Sequence, residues 1–90
     1  PRRGGGGVSA FRFAVDIMPR EGILDPQGRA VESALPQLAA ESVHEVRVGR
    51  RVELTVEAAS ESAARSLVER LAADFLANPL VERWSIEVAA

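Results

Sequence analysis

Four short stretches of this chain alternate apolar with polar residues, and two longer ones carry apolar residues at helical spacing. Phe11, Phe13, Val15 and Ile17 alternate with Arg12, Ala14 and Asp16, so a strand with one buried face is predicted there. Pro19 ends it, because proline cannot donate to a sheet ladder. Asp25 then suits a helix N-cap and Pro26 the first helical position. Val31, Ala34, Leu35 and Leu38 give that helix an apolar stripe, while Pro36 should kink or shorten its last turn.

Val46, Val48, Val52, Leu54 and Val56 are all even-numbered, which constrains the next element. A hairpin keeps them on one face only with an odd loop. Pairing Val48 with Val52 leaves Gly49-Arg50-Arg51 as that loop. Glu45, Arg47, Glu53, Thr55 and Glu57 then face water. Ser60 is the predicted N-cap of a second helix whose buried stripe is Ala64, Leu67, Val68, Leu71 and Phe75. Glu61, Arg65 and Glu69 form a charge row on its opposite side. Asn78 suits a left-handed helix end and Pro79 prevents continuation. Trp84, Ile86 and Val88 mark a last strand.

The order is strand, helix, strand, strand, helix, strand. Right-handed crossovers then place both helices on one face of a four-stranded antiparallel sheet. The predicted class is α+β, a ferredoxin-like βαββαβ sandwich. Residues 1–9 read as a flexible Gly- and Arg-rich tail and 10–90 as a single domain. Such a fold does not name a function.

Composition excludes several kinds of chemistry. Among 90 residues there is no Cys, and the one His rules out a paired-histidine metal site within the chain. All 11 basic residues are Arg, so neither a Schiff-base lysine nor a phosphate-loop lysine exists. A net charge of −2 lacks the basic excess of a nucleic-acid binder. No apolar run approaches the ~18 residues of a membrane span. The chain therefore reads as cytoplasmic, with no nucleic-acid or membrane partner.

Candidate reactive groups all have simpler readings. His44 reads as a hydrogen-bonded structural residue at a strand start, Asp25 as a cap, and Glu45, Glu53 and Glu57 as exposed strand residues. Arg47, Arg50 and Arg51 crowd the expected hairpin tip, where they suit either phosphate or solvent. Gly49-Arg50-Arg51-Val52 has a faint similarity to the phosphate cradle of acylphosphatases, but at a different place in the fold. The expected sheet leaves two unguarded edges, which favours homo-oligomerisation. No catalytic, cofactor-binding or metal-binding residues are assigned.

Three segments together resemble one family. They are Leu24-Asp25-Pro26-Gln27-Gly28-Arg29-Ala30, Val46-Arg47-Val48-Gly49-Arg50-Arg51-Val52-Glu53-Leu54, and Phe75-Leu76-Ala77-Asn78-Pro79-Leu80-Val81-Glu82. They are similar, in order and spacing, to motifs of the PurS family. Its members are the small subunits of phosphoribosylformylglycinamidine (FGAM) synthase, which acts at the fourth step of de novo purine biosynthesis. The resemblance implies a non-catalytic adaptor of a glutamine-dependent, ATP-consuming ligase. Such an adaptor docks the glutaminase subunit (PurQ) to the synthetase subunit (PurL) and assists ammonia transfer.

It implies a homodimer or tetramer, and no cofactor in this chain, since ATP, Mg²⁺ and glutamine are used by the partner subunits. By motif match the expected partner-contact residues are Asp25, Pro26, Gln27, Gly28, Arg47, Gly49, Arg50 and Asn78. Arg50 stands where the family has Lys, and Pro79 where it has Thr. The alternative reading is a small ferredoxin-like regulatory domain that binds a metabolite at a dimer interface.

Overall fold

A computed structural model describes residues 7–89; most of the expected tail, residues 1–6, lies outside them. The elements are β1 (Ser9–Pro19), α1 (Pro26–Ala34), a 3₁₀ turn (Leu35–Leu38), β2 (Arg50–Ala58), α2 (Glu61–Leu71), a π-helical turn (Ala72–Leu76) and β3 (Glu82–Val88). The fold is α+β, with β1 at the centre of an antiparallel sheet of order β2-β1-β3.

Alternation in β1 sorts the sheet into two faces. Phe13, Val15 and Ile17 are buried and pair with Leu54, Val52 and Arg50 on one side and with Val88, Ile86 and Trp84 on the other. On this face Ala64, Val68 and Ala72 of the second helical segment complete the core, with Val56 and Ala77. On the opposite face Arg51 binds Asp16, Glu53 and Glu87, and Ala14 between them is fully buried. These carboxylates raise the Arg51 pKa, Glu87 contributing most, then Glu53 and Asp16. The cluster is solvent-exposed, so it organises that face more than it stabilises the fold.

The four-strand expectation is corrected. The described residues form three strands, and the hairpin around Gly49-Arg50-Arg51 is absent. The chain instead runs from Val46 through Gly49 straight into β2, whose register places Arg50 opposite Ile17. Gly49 needs no turn conformation and has no positive φ. Parity is satisfied without a turn, because one continuous extended segment keeps Val48, Val52, Leu54 and Val56 in phase. The reversal lies in α1, the 3₁₀ turn and residues 39–45, where Ala39 and Glu45 have positive φ.

Pro36 does cut α1 short. The helix ends at Ala34 and continues as a 3₁₀ turn that includes the proline. Val31 and Leu38 of its expected buried stripe are exposed, Leu38 by 72%. Ser60 caps α2 as expected, its Oγ accepting from the Ala63 amide at 3.1 Å. Phe75 is corrected too: it is 80% exposed. The wider π-helical turn rotates the buried stripe onto Ala72, Leu76 and Ala77, and the Ala77 amide closes it on the Ala72 carbonyl.

Candidate partner-contact site

The end of the sheet where β1 stops and β2 and β3 begin is held together by side chains from distant parts of the chain. Arg50 and Glu82 both have inward parity, with Val52 and with Trp84 respectively. A charge facing a core needs a partner, and the two provide one for each other. The Arg50 guanidinium meets the Glu82 carboxylate at 2.8 and 3.2 Å and also donates to the Leu76 carbonyl at 2.6 Å. Glu82 in turn accepts from the Asn78 amide at 2.7 Å. Arg50, then the Asn78 amide, holds the Glu82 carboxyl below the ordinary carboxylate range, and Glu82 raises the Arg50 pKa.

Asn78 is not left-handed, contrary to expectation. Its Oδ1 accepts from the Leu80 amide and its carbonyl from the Val81 and Glu82 amides, so it builds a tight loop before β3. That loop is tied to the end of β1, since Arg20 donates its amide to the Val81 carbonyl and its Nε to the Pro79 carbonyl.

The third segment closes the junction. The first turn of α1 has no side-chain cap; the Asp25 carboxylate accepts instead from the Val48 amide at 2.9 Å. Val48, and after it the Gly28 amide, holds the Asp25 carboxyl below its ordinary range. Gly28 is buried against Asp25 and the Val46 carbonyl, and a Cβ there would overlap both. Gly49 lies equally close to the Ile17 carbonyl and the Met18 sulfur. Arg47 donates to the Pro19 carbonyl and lies 3.6 Å from Glu21.

These contacts surround a recess of about 220 Å³. Of the expected residues, Asp25, Pro26, Gln27, Gly49 and Arg50 line it. Gly28 sits behind Asp25, Arg47 lines a neighbouring open depression, and Asn78 reaches the recess only through Glu82. Sequence reasoning missed Pro19, Ile23, Leu24, Val48, Val81 and Glu82, which complete the wall. The signal for Glu82 was its inward parity beside Trp84, matched by the inward parity of Arg50.

The charged groups of the recess are bonded to one another or to backbone, and no thiol, hydroxyl or imidazole lines it. Among the described residues no group of three or more His, Asp or Glu is placed to hold a metal ion, and no helix is long and apolar enough to cross a membrane. His44 is exposed on the segment after the 3₁₀ turn.

Replacing Glu82 by Gln is expected to lower the melting temperature by about 4–8 °C at neutral pH. This corresponds to ~1 kcal/mol once the half-exposed arginine is discounted for screening. A depressed carboxylate stabilises the fold above the ordinary carboxylate range, and that stability is lost as pH falls through the lowered value. Wild-type stability should therefore decline below about pH 4.5, and E82Q should decline less steeply. Thermal melts followed by circular dichroism across acid pH check both. Parallel curves would mean that the Arg50–Glu82 pair contributes nothing.

The fold and this site define a small α+β protein in which the three signature segments converge on one surface recess. The family model for PurS, described as phosphoribosylformylglycinamidine (FGAM) synthase, matches residues 12–90. The FGAM synthase subunit PurS of Synechocystis is 39% identical over 81 residues, covering 90% of this chain and 81% of its own. That of Mycobacterium leprae is 37% identical over 83% of this chain and 91% of its own. The crystal structure of the Thermotoga maritima PurS subunit superposes with a TM-score of 0.82 at 29% identity, covering 91% of this chain and 94% of that one. A chain in the structure of PurLQS from the same organism gives 0.81 at 30% identity, covering 90% and 99%. This chain belongs to the PurS family.

Proposed function

We propose that this chain is the adaptor subunit of an FGAM synthase, joining the glutaminase subunit to the ATP-dependent synthetase subunit and assisting ammonia transfer between them. The observation that carries this reading is the convergence of all three family segments on one recess whose charged side chains, Asp25, Arg50 and Glu82, are already paired. A site whose charged groups are held by one another presents a shape to a partner. The relative in the PurLQS structure is a PurS chain in company with PurL and PurQ, which supports the same partners here.

On this reading Asp25, Pro26, Gln27, Gly28, Arg47, Gly49, Arg50 and Asn78 shape the contact surface. Several of them do so by fixing backbone, as Gly28, Gly49 and Asn78 do. ATP, Mg²⁺ and glutamine belong to the partner subunits, and the complex works in the cytoplasm. The ferredoxin-like description is part of the same proposal. The order β2-β1-β3 with a helical crossover is that of such a sheet without its outer strand beside β2.

Reconstitution tests the function. With purified glutaminase and synthetase subunits, omitting this chain should reduce glutamine-dependent product formation by about tenfold or more, the scale of a coupling free energy between sites. Synthesis from added ammonium should change little. Equal glutamine-dependent rates with and without the chain would refute the adaptor role.

A further inference from the structure

Two exposed apolar side chains stand where the family segments meet. Leu24 and Ile23 are 68% and 40% exposed. Both line the recess, and both line the open depression beside it that Glu21 and Arg47 border. They therefore form an apolar ridge between two hollows. Neither belongs to the core of the chain or packs against it.

The ridge is held at both ends. On one side the Ile23 amide donates to the Arg20 carbonyl at 3.2 Å, and Gly22, at a φ of 81°, turns the chain. On the other, Pro26 begins α1 and Asp25 accepts from the Val48 amide at 2.9 Å. A segment fixed in this way has little backbone freedom left to lose on binding, which favours its use as a contact anchor.

The recess beside the ridge has room for one side chain. Its volume is about 220 Å³, against ~150 Å³ for a cavity that holds benzene. Pro19, Pro26, Val48 and Val81 give it apolar walls. Arg50 and Glu82 hold each other, and Asp25 is taken by the Val48 amide. A charged group entering would lose its water without gaining a counter-ion. The occupant that fits is large, apolar and uncharged.

We propose that this ridge and recess are the anchor by which an enzyme subunit of the complex holds this chain. Leu24 and Ile23 press into an apolar hollow of that subunit, and one large uncharged side chain of the subunit fills the recess. An apolar centre within a polar rim is the anatomy of an interface core. The proposal rests on the adaptor reading and deepens it by naming the chemistry of the contact. The affinity lies in Leu24 and Ile23, outside the expected partner-contact set, and the polar residues of that set support the ridge from behind.

The test is a titration. This chain is added to purified glutaminase and synthetase subunits with ATP, Mg²⁺ and glutamine, and product formation is followed. Leu24→Ala is expected to raise the half-saturating concentration about 30-fold, the size of a hot-spot contact. The rate at saturation should equal that of the wild type. The melting temperature should stay within ~2 °C, since truncating an exposed side chain costs the fold little. Gln27→Glu and Gln27→Arg each add a charge to the recess wall, and each should raise the half-saturating concentration about tenfold.

Tighter binding of either charged variant would mean a charged occupant and would overturn the proposal. So would an unshifted Leu24→Ala curve, or a loss confined to the rate at saturation. Sedimentation of Leu24→Ala alone should match the wild type; a smaller mass would mean that the ridge faces another copy, and would overturn it too. These outcomes leave the adaptor reading standing. No stimulation by the wild type at any concentration would refute that reading and this proposal with it.

Discussion

Phe13→Ala is expected to leave a chain that is largely unfolded at physiological temperature. Phe13 is fully buried on the central strand, between Leu54 and Val88, and is the largest side chain enclosed by the core. Removing its ring costs about 3–5 kcal/mol in lost transfer energy and residual cavity. A domain of this length has a total stability of only ~5–13 kcal/mol, and the helix layer over this sheet is one helix deep. Little surrounding structure can collapse into the gap. Ile17→Val, at the same depth, should cost only about 1 kcal/mol. Thermal denaturation followed by far-ultraviolet circular dichroism separates them. A Phe13→Ala melt within a few degrees of the wild type would mean that the core lies elsewhere.

Gly49→Ala should be the most disruptive small change at the proposed partner-contact site. An added methyl would overlap the Ile17 carbonyl oxygen, which is backbone and cannot swing aside, and the Met18 sulfur, which can. The segment 46–49 must therefore shift away from the end of β1. The expected loss is about 1–3 kcal/mol, as for other insertions into close-packed positions. The same shift strains the Asp25–Val48 bond and opens the recess, so affinity for the synthetase and glutaminase subunits should fall with stability. Gly22 offers the contrast. A methyl there meets open space, and the cost, about 1 kcal/mol, comes only from its positive φ of 81°. Melting curves and partner pull-down on both variants check this. Equal behaviour of the two would remove the argument from close approach.

Much of the fold is written in period and parity. The alternation in β1 and β3, the Ser60 cap and the break at Pro36 all appear where local pattern places them, because each depends on residues adjacent in sequence. The expected hairpin failed for a definite reason. Even parity on both sides of Gly49 is compatible with a turn and equally with no turn. What decides is the contact of Gly49 with Ile17, thirty-two residues away, which parity cannot show. Phe75 was misplaced because a π-helical turn changes the period within one helix. For the candidate site, the three segments converge on one recess, where Gly49 acts by close approach to β1 rather than as a turn, and Asn78 builds the loop before β3 rather than a left-handed cap. Glu82, whose carboxylate ties two of the segments together, was readable only by pairing its inward parity with that of Arg50.

The long excursion between β1 and β2 also bears on how the molecule folds. Ile17 pairs with Arg50 and Val15 with Ile86, so no ladder of this sheet is closed by a short turn. Zippering from a tight reversal is not open to such a topology. Each pairing must first meet the entropy of closing a loop of thirty residues or more. A high contact order of this kind slows folding. The second helix and its crossover, the most local structure on offer, are then the natural nucleus on which the central strand is captured.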